Sequence, residues 1–277
     1  MVYFSGAKIN IGLSILHKRE DGYHDIESIF YPIKWYDVLE AVKVPVEHVE
    51  IIPIFSQVDI KLEENLIYRA WKLLYHSHSI PPVRFYLWKR VPMQAGLGGG
   101  SANAAGTLLL LKNMFNLNLP EDDLHKFAEQ LGSDVPFFLY SKPALVTGRG
   151  EHIEPIQLDL SGYKIQVVVP RNLGKEKGIS TREAYKLIFP HEPTFQLKDI
   201  LNLPINKWGE YIKNDFESVI FPRFPLLAEI KSRLLKEGAL YASMSGTGSA
   251  VYGIFEKKSL LPTWDSQKYL VFEQGWL

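Results

Sequence analysis

This chain predicts an α+β fold in two domains, and three observations carry that prediction. Strand-like and helix-like segments interleave irregularly instead of forming a strict βαβ series, which disfavours a doubly wound sheet. Its 277 residues suffice for one large domain or two small ones. Turn residues and a change of pattern between Arg149 and Gly162 mark a division near residue 155, giving domains 1–155 and 156–277.

The elements follow in order. Residues 8–15 alternate strictly, with Ile9, Ile11, Leu13 and Ile15 on one face and Lys8, Asn10, Gly12 and Ser14 on the other. That pattern predicts a half-buried strand, with Lys8 and Asn10 sharing its polar face. Arg19-Glu20-Asp21-Gly22 signals a turn. Residues 29–33 and 38–44 read as two further strands, and 83–88 as another. Residues 65–75 read as a helix turning Leu66, Ala70 and Leu73 inward, with Asn65 suited to its N-cap. A helix is expected over 104–115, with Leu108 to Leu111 as its apolar run. Pro120 introduces a helix over 121–130 with acidic residues in its first turn and Gly132 just past its end. Ser133-Asp134-Val135-Pro136 restarts the chain as a new helix, where Asp134 serves as a cap or stands beside the N-terminus. Residues 164–169 read as a buried strand, and 180–187 and 224–237 as helices. Residues 241–255 read as strand, glycine turn and strand around Ser245-Gly246-Thr247-Gly248. Residues 256–277 match no pattern, and no internal repeat is present.

Composition narrows the function. Lys+Arg and Asp+Glu both number 31, so the formal net charge is zero, which argues against a general nucleic-acid binder and leaves room for a local basic pocket. No cysteine is present, excluding disulfides, thiolate catalysis and cysteine–zinc sites. The first residues lack a signal-peptide pattern, because a charged, polar alternation begins at Lys8. No apolar run approaches the length of a membrane span. A cytoplasmic protein without nucleic-acid or membrane partners is expected.

The chemistry concentrates in residues 92–105, PMQAGLGGGSANAA. Four glycines in five positions, Gly96 and Gly98 to Gly100, bury nothing and cost backbone entropy. Ahead of a helix they form an anion cradle, because free N–H groups and the positive end of the helix dipole meet at one spot. The expected ligand is a phosphate chain; a glycine turn without ligand is the competing reading. The segment lacks the Lys-Ser/Thr of a Walker A loop, and Ser101 stands where a dinucleotide motif needs its last glycine.

Together with Ala7-Lys8-Ile9-Asn10 and the late turn Met244-Ser245-Gly246-Thr247-Gly248-Ser249, this segment resembles the GHMP kinase superfamily, whose three motifs occur in this order. Further segments point to one branch. They are residues 21–28 (DGYHDIES), 64–67 (ENLI), 131–138 (LGSDVPFF), 148–151 (GRGE), Ile179-Ser180-Thr181 with Ala184-Tyr185, and 214–217 (NDFE). The matches span residues 7–250; DGYH and GSDVPF are the specific ones. The resemblance implies a ribosomal-protein-S5-like first domain, a ferredoxin-like second domain and an active site in a cleft. It implies ATP-dependent phosphorylation of a tertiary alcohol, the 2-hydroxyl of a cytidine-diphosphate-linked methylerythritol.

Residue roles are carried over with it. ATP would be held by Asn65, Pro92, Gly96, Leu97, Gly98, Gly99, Gly100, Ser101 and Ala102, and Mg2+ would arrive with it, since the sequence shows no dedicated metal cluster. Ala102 stands where related loops often carry a second serine, so any hydroxyl contact rests on Ser101. Asp134 would be the general base and Lys8 its partner; by themselves these types read as a helix cap and a solvated strand lysine. Tyr23 and Tyr185 would stack on the cytosine, with His24, Asn10 and Asp134 also on the substrate side. Without the resemblance, Tyr23 reads as a surface aromatic and Tyr185 as a core residue on a helix face. His24 is a poor metal ligand, since only Glu27 stands at helical spacing and no second histidine joins it. The late turn would brace the glycine segment or a ligand phosphate, or be a plain tight turn. The rival functions are a GHMP kinase for mevalonate, homoserine or a sugar, and a non-catalytic nucleotide-binding protein; the presence of both Lys8 and Asp134 disfavours the latter.

Overall fold

The computed structural model describes residues 1–55, 60–173 and 180–275. Strands are β1 Val2–Lys18, β2 His24–Val42, β3 Glu50–Pro53, β4 Arg84–Trp88, β5 Ala144–Thr147, β6 His152–Pro155, β7 Tyr163–Pro170, β8 Tyr241–Met244, β9 Val251–Glu256 and β10 Tyr269–Gln274. Helices are α1 Leu66–His78, α2 Gly99–Met114, α3 Glu121–Leu131, α4 Val135–Tyr140, α5 Thr181–Leu187, α6 Trp208–Tyr211, α7 Glu217–Ile220 and α8 Pro225–Lys236. The chain forms two compact units interleaved in sequence. One comprises Met1–Ala7, Lys34–Met93 and Gly98–Ser141, and the other Lys8–Ile33, Gln94–Leu97 and Lys142–Leu277.

In the first unit, β4 pairs antiparallel with residues 38–42 of β2 and parallel with β3. The start of β1 joins β2 through a two-way exchange between the main chains of Met1 and Ala41. Helix α2 packs against α1, α3 and α4. Ala104, Ala105, Leu108 and Leu111 are all fully buried. A helix that is apolar all round belongs in a core, which is why the 102–111 run lacks an amphipathic stripe. By contrast α3 buries only Leu124, Ala128 and Leu131 and turns its acids to water.

In the second unit, residues 28–30 of β2 pair with β5, which pairs with β6. A separate antiparallel sheet runs in the order β10-β7-β9-β8. Its core includes Val168, Phe216, Leu227, Ile230, Met244, Val251 and Phe255.

Several expectations need correction. The half-buried strand is longer and is covered on both faces from Ala7 to Leu13, so Lys8 is 3% exposed and Asn10 2%. Alternation identifies the apolar face of a strand but does not report what covers the other. Residues 29–33 and 38–42 belong to a single strand, β2, which ends at Val42, two residues short of the expected end. The buried face of α1 is Ile67, Ala70, Trp71 and Leu74, whereas Leu66 and Leu73 are only half-buried. Helix α2 begins five residues earlier than expected, inside the glycine run. Residues 269–274, within the stretch that matches no sequence pattern, form the edge strand β10. Ile179 lies outside the described residues.

Candidate functional site

In the first unit, Val91 and the half-buried Pro92 follow β4 and lead into the glycine segment. Gly98 takes the N-cap of α2 in the left-handed region, with φ +70° and no side chain to cap with. The N–H groups of Gly99, Gly100 and Ser101 precede the first intrahelical bond, from the Ala102 N–H to the Gly98 carbonyl at 2.9 Å. No acidic residue stands in the first turn of α2, whereas α3 carries Glu121, Asp122 and Asp123 there. The positive end of α2 is therefore not neutralised by its own sequence. Gly100 is exposed, Ser101 half-buried and Ala102 buried.

A cation not singled out from sequence stands beside this helix start. A Cβ on Gly99 would lie 2.8 Å from Lys89 Nζ, so glycine here admits the ammonium to the backbone. Lys89 pairs with the fully buried Asp37, whose other oxygen accepts from the N–H groups of Arg90 (2.7 Å) and Val91 (2.8 Å). Burial pushes the Lys89 ammonium below its ordinary pKa, and Asp37 opposes that shift. The Lys89-Arg90 pair just before the glycines was the available signal.

Asn65 caps α1, its Oδ1 accepting from the Ile67 N–H at 3.0 Å. Asp134 stands half-buried at the N-cap position of α4, but its side chain makes no capping bond. The cap reading thus holds for Asn65 and not for Asp134.

In the second unit, Gly96 adopts φ +75°, and a Cβ there would lie 1.9 Å from the Ser245 carbonyl oxygen. The Ser245 hydroxyl donates to the Gly96 carbonyl at 2.8 Å, and the Ala250 N–H to the Ala95 carbonyl at 3.0 Å. Asn214 Nδ2 secures the turn, donating to the carbonyls of Met244 and Gly246, both at 2.8 Å. The late turn therefore braces residues 95 and 96. Leu97 is buried, and its carbonyl accepts from the Lys8 N–H at 3.0 Å.

Lys8 Nζ lies 4.4 Å from the centre of the Phe30 ring and donates to Asn10 Oδ1 at 2.5 Å. Asn10 Nδ2 donates to Ser28 Oγ at 2.9 Å. Asn10 thus has both ends of its amide engaged within the protein.

Tyr23 is 54% exposed, held in a turn by its N–H donating to Asp21 Oδ1 at 3.0 Å. The Arg149 guanidinium lies 4.9 Å from the centre of the Tyr23 ring. His24 stacks on Tyr185 with ring centres 5.2 Å apart, and Tyr185 and Phe216 meet edge to face with ring centres 4.9 Å apart. Partial burial, with Lys18 nearby, pushes the His24 imidazole below its ordinary pKa. Arg149 and Ser28 stand within the GRGE and DGYHDIES motifs, which by themselves assign neither a role.

Comparison with known proteins agrees with these motifs. Residues 65–142 match the model of the GHMP kinases N terminal domain, and residues 197–262 that of the GHMP kinases C terminal. The chain is 43% identical over 271 residues to the 4-diphosphocytidyl-2-C-methyl-D-erythritol kinase of Bacteroides thetaiotaomicron, covering 96% of each chain. It is 44% identical over 258 residues to the enzyme of that name from Azobacteroides pseudotrichonymphae, covering 93% of this chain and 94% of the relative. A crystal structure of 4-(cytidine 5'-diphospho)-2C-methyl-D-erythritol kinase superposes with a TM-score of 0.75 at 32% identity, over 92% of this chain and 90% of that one. Methanococcus jannaschii mevalonate kinase shares the fold, with a TM-score of 0.69 at 13% identity, over 99% of this chain and 97% of that one.

Proposed function

We propose, for a chain that belongs to the 4-diphosphocytidyl-2-C-methyl-D-erythritol kinase family within the GHMP kinases and is thus a small-molecule kinase, transfer of the ATP γ-phosphoryl group to the 2-hydroxyl of that cytidine compound. The reaction belongs to the non-mevalonate route to isoprenoid precursors. The observation that supports this reading is the start of α2, where three N–H groups precede the intrahelical ladder and no acidic residue stands in the first turn, a setting suited to a phosphate.

Phosphoryl transfer through a loose transition state asks chiefly for positioning and charge stabilisation. The substrate oxygen bonds to the γ-phosphorus as the bond to the β-phosphate oxygen breaks, and ADP leaves. Asp134, not engaged in capping its helix, takes the hydroxyl proton. A hydroxyl that loses its proton late needs only a weak base. The Lys8 ammonium balances charge on the transferring group. Gly96 to Ala102, with Pro92 setting the approach and Asn65 toward the nucleoside, hold ATP. Mg2+ carried on the ATP phosphates would screen their charge, and Ser101 supplies the one hydroxyl in the first turn of α2. Among the described residues there is no cluster of three or more His, Asp or Glu able to hold a metal.

Arg149 covers one face of Tyr23, so the base stacks on the other, with Tyr185 and His24 as further contacts. The two family matches fall on either side of residue 155, which supports the division into domains 1–155 and 156–277, although the compact units interleave. No helix among the described residues is long and apolar enough to cross a membrane. A cytoplasmic enzyme acting on small molecules, without nucleic-acid partners, completes the reading.

The test is ATP consumption with Mg2+ and 4-diphosphocytidyl-2-C-methyl-D-erythritol, beside mevalonate, homoserine and galactose. Turnover confined to the cytidine compound is the expected result. Activity only on another alcohol would keep the fold and discard the roles given to Tyr23, His24 and Tyr185.

A further inference from the structure

Ser28 has no assigned part in the reaction, yet it is completely buried and its hydroxyl is fully committed. Ser28 Oγ donates to the Gly12 carbonyl at 2.6 Å. A hydroxyl has one proton, so toward Asn10 it can only accept. That fixes the Asn10 amide: Nδ2 faces Ser28 at 2.9 Å, and Oδ1 faces the Lys8 ammonium at 2.5 Å. The opposite end of the chain dictates the same orientation. An ammonium carries three donors and no acceptor, so a flipped amide would set NH2 against NH3+. Ser245 completes the frame, its Oγ accepting from the Asn10 N–H at 3.2 Å and lying 3.4 Å from Asn10 Oδ1.

We propose that Ser28 is a positioning residue for phosphoryl transfer, orienting the Asn10 amide so that its carbonyl oxygen holds the Lys8 ammonium in place. The inference rests on the reading of Lys8 as a catalytic group. Without the Ser28 hydroxyl, Asn10 Nδ2 loses its acceptor in a buried setting, and the amide is free to rotate away from Lys8. A small displacement of a charged group at a reacting centre lowers the chemical step more than it weakens substrate binding.

The experiment is a double-mutant cycle on the full chain, with kcat, KM for both substrates and Tm measured for Ser28→Ala, Lys8→Met and the double variant. Ser28→Ala alone is expected to lower kcat by about tenfold or more, with each KM within about threefold. On the Lys8→Met background it is expected to change kcat by less than about twofold, because the group it positions is gone. Ser28→Thr, which keeps the hydroxyl, should recover most of the lost kcat. An equal loss of kcat in both backgrounds overturns the proposal, since a merely structural serine acts whether or not Lys8 is present. Full kcat in Ser28→Ala, alongside a loss in Lys8→Met, also overturns it while leaving the catalytic reading of Lys8 intact. Full kcat in Lys8→Met overturns that reading instead, and this inference with it.

Discussion

The carbonyl of Gly96 accepts a hydrogen bond from the Ser245 hydroxyl at 2.8 Å, and the Gly96 Cα faces the Ser245 main chain so closely that a Cβ would lie 1.9 Å from its carbonyl oxygen. Backbone-on-backbone contact leaves nothing flexible to move aside. Gly96→Ala also forces a left-handed φ on an L side chain. The expected outcome is a loss of at least about 2 kcal/mol, read as a Tm lowered by about 4 °C or more. Activity should fall with it, and an unchanged Tm would show that the turn and the glycine segment are not braced together.

Asp134 separates catalysis from capping. Its carboxylate makes no capping bond in α4, so Asp134→Asn takes no helix cap away. The same change should lower kcat by roughly 10²–10⁴, the range for losing a general base. A loss of less than about threefold, with the fold intact, would remove Asp134 from that role.

Asn65 offers the converse separation. Asn65→Ala removes the cap of α1 and should cost about 1 kcal/mol, whereas Asn65→Asp keeps an accepting oxygen and should preserve Tm. If the Asn65 amide also donates to the nucleotide, KM for ATP rises in both variants. A normal KM in Asn65→Asp would leave capping as its whole role.

Tyr23 presents one open face, because Arg149 lies over the other. Tyr23→Ala should raise KM for the cytidine substrate roughly tenfold while changing KM for ATP by less than about twofold. Tyr23→Phe, which keeps the ring, should behave nearly as the parent. Equal rises for both substrates would contradict stacking on the base.

His191 supplies a pH dependence of stability. Its imidazole is held above the ordinary value of 6.5, first by the Glu192 carbonyl and then by Asp215, which also accepts from the Ile15 N–H at 2.8 Å. A raised pKa contributes stability that is fully present below about pH 6.5 and is lost as pH rises through the higher folded value. His191 is 53% exposed, so the effect is less than about 1 kcal/mol. Tm curves of the parent and His191→Gln should converge from pH 6 to pH 8, and parallel curves would exclude the contribution.

Local pattern carried a large part of this molecule. The glycine run before a helix pointed to close backbone approach, and Gly96 and Gly99 make one, against the Ser245 main chain and the Lys89 ammonium, where a side chain would not fit. Asn65 and Gly132 marked helix ends, because capping depends on residues adjacent in the chain. The motif order named the superfamily, and the relatives at 43% and 44% identity agree with it. What the chain could not announce was set across distance. Strict alternation made Lys8 look solvated, but the second face of β1 is covered by packing that no local period records. Asp37 and Lys89 meet across 52 positions, Ser245 and Gly96 across 149, and Ser245 and Asn10 across 235. The amino-acid sequence by itself determined which chemical groups are present and which local elements carry them. Tertiary structure alone decided which polar groups leave water together, because the partners of a buried hydrogen bond are chosen when distant strands and turns pack, and periodicity reports only near neighbours.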